Sequence, residues 1–398
     1  MLKNLEKVLF FLTLLFLPTQ LGRHFWPQFS FVYSLPIDYL SPVLYFWDIL
    51  VIFLFVVFLF QKRSFNKTAL NLFYFFILTQ VLSLLLTVNT GAGFVRLEQY
   101  LIAGIFGVFI ASFEKSEIKN VYLPLTVAVL GEAFLSILQF LKSETIGLWI
   151  LGERSFTIST PGIAKFDFYG REFLRPYGTF PHPNVLAGFL LISLLILPKK
   201  SYLTILAGIT LLLTVSRVVL IGAFVSAIFI FNSQGKKILI LIFVLLLPIL
   251  YTRYFSLFNF DSLTLLRREE LVVTAIKLWT KNPLLGVGLN NFIPNGADLL
   301  LSGPSRFLQP VHNIFLLTLS ETGIVGLIGL IVLIGYPIFV LIKLYPKPFT
   351  LTPMLLIWSV IIFLGMFDHY FLTLPQGYRL LFLVWGLSLS TFNKQREG

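Results

Sequence analysis

Arg217 lies in the run Leu211-Leu212-Leu213-Thr214-Val215-Ser216-Arg217-Val218-Val219-Leu220, with no acidic residue within 40 positions on either side. A guanidinium in so apolar a stretch is costly unless it faces water or an anion. Its placement points to an anionic ligand, with a helix-end arginine snorkelling to lipid headgroups as the competing reading. A second group is Arg175-Pro176-Tyr177-Gly178-Thr179-Phe180-Pro181-His182-Pro183-Asn184. The prolines on either side of His182 predict a stiff, non-helical segment up to Asn184, which suits the N-cap of the next helix. A turn and a cap explain His182 and Asn184, but nothing about a turn requires Arg175. The third group runs from His312-Asn313 through Glu321 to Gly323 and Gly326. Asn313 is placed to cap a helix on which Leu316, Leu319 and Gly323 share a face. The two glycines permit a tight turn or close packing there, and His312 falls at the start of the resulting half-helix. An imidazole titrates near neutrality, which fits a general base or a hydrogen-bond donor to phosphate. Glu321 and Asp368 are rival bases, and Arg379 could pair with Asp368.

These side chains need elements to hold them, and the composition says which kind. Hydrophobic residues make up 57% of the 398-residue chain and charged residues 12%, against roughly 25% in a soluble domain; phenylalanine alone occurs 44 times. So few polar side chains cannot cover so much apolar surface in water, which implies a polytopic membrane protein. Cysteine is absent, which excludes disulfides, thiolate nucleophiles and Cys-ligated metals. With four histidines, a His-rich metal cage is not expected either. Apolar runs predict about twelve transmembrane helices, near 5–22, 43–60, 69–88, 98–113, 121–141, 184–198, 201–215, 218–231, 238–252, 323–342, 350–370 and 378–392. The runs are apolar on every face, so the expected class is all-α, a single membrane domain over 1–398, rather than a strand barrel. The first run resembles a signal peptide but lacks an A-x-A cleavage site, and reads as a retained span. Two long segments, 142–183 and 253–322, fall on one side. The second contains an expected amphipathic surface helix headed by Arg267-Arg268-Glu269-Glu270, with Leu271, Ala275, Ile276, Leu278 and Trp279 following.

The formal charge is +12, and its distribution carries information. With the N-terminus placed in the cytoplasm, the short inside loops hold 13 lysines and 2 arginines, as the positive-inside rule expects, and the C-terminus is also inside. The outer side holds 4 lysines and 11 arginines: Arg23, Arg96, Arg154, Arg171, Arg175, Arg217, Arg253, Arg267, Arg268, Arg306 and Arg379. Topology needs only positive charge, whereas arginine is suited to multidentate binding of phosphate or carboxylate. Some of these arginines should pair with nearby glutamates or headgroups. The excess predicts an external site for an anionic ligand.

The motifs also resemble a known family. His312-Asn313, nine residues, Gly323, two residues and Gly326 is similar to the H-N-x9-G-x-x-G signature of the O-antigen ligase and O-antigen polymerase superfamily. Residues 282–292, with Gly286, Gly288 and Phe292, resemble its N-P-x-x-G-x-G-x-x-x-F segment. Ser216-Arg217 resembles its intramembrane S-R pair, and residues 175–184 its R-x-x-G-x-F-x-x-P-N block. The resembling core covers about residues 170–330. An R-x3-L form of the arginine motif is not met, since Leu220 follows Arg217 by three.

This resemblance implies a membrane glycosyltransferase of roughly twelve spans in the cytoplasmic (inner) membrane, with its site on the external face. The implied donor is a glycan on an undecaprenyl diphosphate carrier, and no metal or other cofactor is implied. The acceptor would be a lipid-core sugar (ligase), a growing glycan (polymerase) or a protein side chain. No nucleic acid is involved. Arg175 and Arg217 would hold the diphosphate, and His312 would assist the acceptor or the diphosphate; on the surface helix, Arg267 or Arg268 could reach the same phosphates, with pairing to Glu270 or Glu269 as the competing reading. Asn313, His182, Asn184, Gly288, Asp368 and Arg379 would support them. Arg217, Arg175 and His312 are thus expected on one cavity. A lipid-linked oligosaccharide flippase or other transporter is the alternative from another class, but the chain lacks the repeated midplane breaks such proteins show.

Overall fold

The computed structural model describes residues 2–61, 63–168, 170–198, 201–230, 263–301, 308–344 and 352–390. The expected span 238–252, together with Arg253 and Arg306, lies outside the described residues. The other apolar runs all fold as helices, because a helix satisfies every backbone polar group internally whatever surrounds it. In chain order these are α1 (Leu2–Leu15), α2 (Phe46–Phe60), α3 (Lys67–Ser83), α4 (Thr90–Ala111), α5 (Tyr122–Lys142), α6 (Pro183–Ile196), α7 (Ser201–Leu213) and α8 (Arg217–Ile230). They are followed by α9 (Leu263–Lys281), the short α10 (Phe292–Gly296), α11 (Ile314–Leu344), α12 (Pro353–Gly365), the short α13 (Tyr370–Thr373) and α14 (Pro375–Ser390).

The expected twelve spans are seen only in part. Among the described residues four helices are long and apolar enough to cross a membrane: Lys67–Leu86, Thr90–Ala111, Ile118–Lys142 and Ile314–Leu344. Other apolar helices, such as α2, α6, α8 and α12, are 17 residues or shorter. The run 350–370 ends as a helix at Gly365, so residues 366–369 form a turn outside it. Within the expected stretch 201–231, residues 201–230 form two helices, separated where Val215 takes a positive φ of 48°. Large apolar side chains stand exposed along the helices, among them Phe60, Tyr74, Phe134, Ile205 and Phe339. That surface suits lipid and would be unfavourable in water.

The main core is aromatic and aliphatic, with Trp47, Phe106, Phe109, Trp358 and Trp385 at most 1% exposed. α14 packs along α4, and α11 along α3. A second core gathers Leu271, Ala275 and Leu278 of α9 with Val287, Phe292, Val311 and Leu317, and so seats α9 beside the start of α11. The expected amphipathic helix is thus present, but Ile276 lies on its exposed face and Thr274 on its buried one.

Chain alternation puts two kinds of connection at opposite ends of the helices. At one end Arg63 bridges Glu6 (3.4 Å) and Glu117 (3.0 Å), near the expected inside lysines. At the other end lie three small two-stranded antiparallel sheets: β1 (Gly22–His24) with β4 (Val43–Tyr45), β2 (Phe31–Val32) with β3 (Leu35–Pro36), and β5 (Lys165–Phe168) with β6 (Arg171–Leu174). This second end carries the site.

Candidate active site

The segment 175–184 is held from below by polar side chains of α5. Gln139 Oε1 accepts the backbone N–H groups of Tyr177 (3.0 Å) and Gly178 (2.8 Å), and its Nε2 donates to the Gly178 carbonyl. Glu132 accepts from the Thr179 N–H at 2.9 Å and from its hydroxyl at 2.6 Å. Buried polar groups of this kind persist only when partnered, so the interior of α5 fixes the loop. Arg175 is aimed in turn: Nε donates to the Thr214 carbonyl at 2.6 Å and Nη2 to Asn184 Oδ1 at 2.7 Å. One guanidinium therefore ties the first long loop to α6 and to the break between α7 and α8.

Helix α6 begins at Pro183, one residue earlier than expected, and its N-cap is His182 rather than Asn184. A proline needs no N–H partner at the first helical position, and His182 Nδ1 accepts the Asn184 N–H at 3.1 Å. A neutral ring accepting at Nδ1 carries its proton on Nε2. Burial, then the charges of Arg175, His312 and Arg268, pushes the His182 pKa down to about 3, so the neutral form prevails.

His312 and Asn313 precede α11, which is broken at Gly323 (φ 65°, ψ −165°). Asn313 caps the first half through Oδ1, which accepts from Phe315 and Leu316 N–H, and its Nδ2 donates to the Met366 carbonyl. The break exposes backbone groups that need partners, and residues 283–288 supply them. Ile324 and Val325 donate to the carbonyls of Pro283 (2.9 Å) and Leu284 (3.1 Å), while Val287 and Gly288 donate to those of Ser320 (3.0 Å) and Glu321 (2.8 Å). The approach is so close that a Cβ on Gly323 would run into the Leu284 carbonyl, and one on Gly286 into that of Glu321. Two of the sequence motifs are thus one interlocked structure.

Above this clasp lies a cavity of about 990 Å³, walled by β1, residues 36–39, the first long loop, α9, the segment 308–312 and residues 368–375. Of the residues singled out in the sequence, Arg175, Arg267, His182, Asn184, His312 and Asp368 line it. Arg217, Asn313, Gly288, Glu321 and Arg379 do not. Arg217 sits partly buried in the first turn of α8, three residues past the Thr214 carbonyl that Arg175 binds. Glu321 is 7% exposed and its carboxylate accepts from the backbone of Asn290 (3.1 Å) and Phe292 (3.2 Å). Arg379 is fully buried and pairs with Asp48 of α2 at 3.8 Å, not with Asp368. It also donates to the Thr19 carbonyl and stacks over Tyr45 and Trp47. Arg96, from the same expected external set, is likewise buried, donating to Gln99, to the Thr373 carbonyl and to Asn290 Oδ1.

The cavity also holds Arg268, named with Arg267 as a candidate phosphate contact, and residues that the motifs did not mark. Arg154 is one of these, and with Arg268 it brings the guanidinium groups to four, in a wall shared with Asp38, Glu153 and Asp368. Glu153 is caged by the Gln139 amide and the N–H groups of Ile146, Gly147 and Leu148, so its charge is spent on the loop. His24 and His369 complete a set in which all four histidines of the chain line one cavity. His369 packs edge to face on His312, with ring centres 5.0 Å apart. Burial lowers the pKa of His312 and of His369; Asp368 opposes the shift at His312, and at His369 the His312 and Arg96 charges deepen it. The only sequence signal for His369 was its place beside Asp368, and that for His24 its place beside Arg23.

A cationic pocket lined by neutral imidazoles can bind a multiply charged anion and move a proton at its edge. Residues 202–331 match the O-antigen ligase family model. No curated protein matches the chain. The matched stretch contains Ser216-Arg217, the 283–288 clasp, His312 and the Gly323 break, and it supports assignment of this membrane protein to the O-antigen ligase superfamily.

Proposed function

We propose that the cavity binds the diphosphate of an undecaprenyl-diphosphate-linked glycan and transfers the glycan to an acceptor hydroxyl on the external face of the cytoplasmic membrane. The observation that carries this reading is the convergence of Arg154, Arg175, Arg267 and Arg268 with His182 and His312 on one wall system. Breaking the bond between the sugar and the diphosphate leaves negative charge on the departing oxygen. Guanidinium groups already oriented by the protein stabilise that charge without reorganising, and the His182 Nε2–H adds a fixed neutral donor. His312, on the same cavity wall as Arg268 and Asp368, assists the departing diphosphate. Arg217 acts one layer back, at the α7–α8 break on which Arg175 is anchored. Glu321 and Gly288 keep the clasp in shape, and Arg379 holds the helices together.

The test is transfer by the purified protein from a lipid-linked glycan, with a lipid-core sugar, a glycan and a peptide offered as acceptors. We expect transfer to one of them, persisting in EDTA, and a fall in turnover of about 10²–10³ for Arg175→Ala, the size seen when one charge-stabilising donor is removed. Movement of labelled donor across vesicles with no transfer to any acceptor would replace this reading with that of a flippase.

A further inference from the structure

The attacking hydroxyl of such a transfer must give up a proton, and the cavity offers several imidazoles to receive it. Their hydrogen bonds distinguish them. His182 accepts at Nδ1 and so presents an N–H at Nε2, which makes it a donor. His369 differs. Thr373 Oγ1 lies within hydrogen-bond distance of both the His369 carbonyl (3.1 Å) and His369 Nδ1 (2.6 Å). With its single proton given to the carbonyl, the hydroxyl accepts from Nδ1–H and leaves the lone pair on Nε2. Among the described residues no hydrogen bond engages Nε2, and the ring is part of the cavity wall. It is held in place by edge-to-face contacts with Tyr39 (5.6 Å) and His312 (5.0 Å). Asp368 accepts the His369 backbone N–H at 2.8 Å and so fixes the backbone from which the ring projects.

We infer that His369 takes this Nδ1–H tautomer and that its Nε2 is the base that takes the proton of the acceptor hydroxyl, an assignment that rests on the transfer reading above. The hydroxyl oxygen forms its bond to the anomeric carbon, and the bond from that carbon to the diphosphate oxygen breaks with its electron pair leaving on the diphosphate. The hydroxyl proton passes to Nε2, and the resulting imidazolium is offset by the diphosphate. Burial among cationic neighbours keeps the ring neutral before the donor arrives, and the incoming diphosphate then favours the protonated form. Thr373 is the positioning residue, because it selects the tautomer.

His369→Asn separates the two nitrogens: the asparagine amide keeps a donor toward Thr373 and places nothing at the Nε2 position. With the full-length protein we expect donor affinity and KM to stay near wild type while kcat falls about 10²- to 10⁴-fold, the range of general-base catalysis. A kcat within about threefold of wild type would overturn the assignment. Thr373→Val, which removes the tautomer lock, supplies a second reading should the asparagine variant not fold. It is expected to lower kcat at least about tenfold, as a misprotonated base does, and unchanged turnover would again count against the base. Arg175→Ala run on the same donor separates the levels of failure. If Arg175→Ala abolishes transfer and His369→Asn does not, the base is wrong and the transfer reading stands. If the wild type transfers to no acceptor, the transfer reading fails and the base fails with it.

Discussion

His182 does two jobs with one ring, capping α6 through Nδ1 and lining the cavity. Both require the neutral form, and this links pH to stability. The folded pKa is about 3 against an ordinary 6.5. Between those values the unfolded chain binds more protons, so the stabilisation is complete above about pH 6.5 and is lost as pH falls toward 3. Thermal midpoints in detergent should therefore drop from pH 7 to pH 4. His182→Asn keeps an acceptor at the cap and removes the titration, so it should flatten that drop; His182→Ala should lower stability by about 1 kcal/mol at neutral pH through loss of the cap. At this scale the sequence was partly legible. The prolines around His182 and the isolation of Arg175 marked real features, but a string of residues does not show whether an arginine faces a ligand or a carbonyl. Arg96 and Arg379 turned inward because carbonyls, Asn290 and Asp48, remote in sequence, meet them there. His369 escaped notice because its partners are Tyr39 and His312, and only folding brings them to it.

The decisive element is the break in α11 and the segment that clasps it. Apolar runs announced the helices well, since hydropathy acts locally, and the paired glycines suggested a half-helix after His312. What the sequence did not show is that residues 283–288 supply the hydrogen bonds the break leaves open. That pairing joins segments about thirty-five residues apart and depends on backbone groups, which every residue type shares. Gly323 holds a conformation essentially restricted to glycine, so Gly323→Ala should cost about 1–3 kcal/mol from the backbone alone, with the steric clash at Leu284 added. Gly335, in the same helix, has open space around it. Gly335→Ala should be neutral or stabilising by up to about 1 kcal/mol. Denaturation of the two variants side by side measures the difference, and a Gly323→Ala protein as stable as wild type would show the clasp to be dispensable.

Across the whole molecule, the N-terminal and C-terminal helices are locked by one charge. Arg379 of α14 reaches Asp48 of α2, the carbonyl of Thr19 and the rings of Tyr45 and Trp47. Removing one partner of a buried pair strands the other, at about 3–5 kcal/mol. Arg379→Met should lose folded protein and activity together, and Asp48→Asn combined with Arg379→Gln should recover part of both. Arg175→Ala, by contrast, should lose activity while the fold survives; fluorescence-detected gel filtration distinguishes the two behaviours. The placement of the histidines has a practical result as well. Every imidazole in the chain borders the same cavity, and the chain has no cysteine. Histidine labelled with nitrogen-15 would give a spectrum in which each ring signal reports on the site, and the Nδ1–H and Nε2–H tautomers of His369 and His182 would resolve by their coupling patterns. A single cysteine introduced anywhere would accept a spin label without competition, so distances to that cavity are measurable in otherwise unaltered protein.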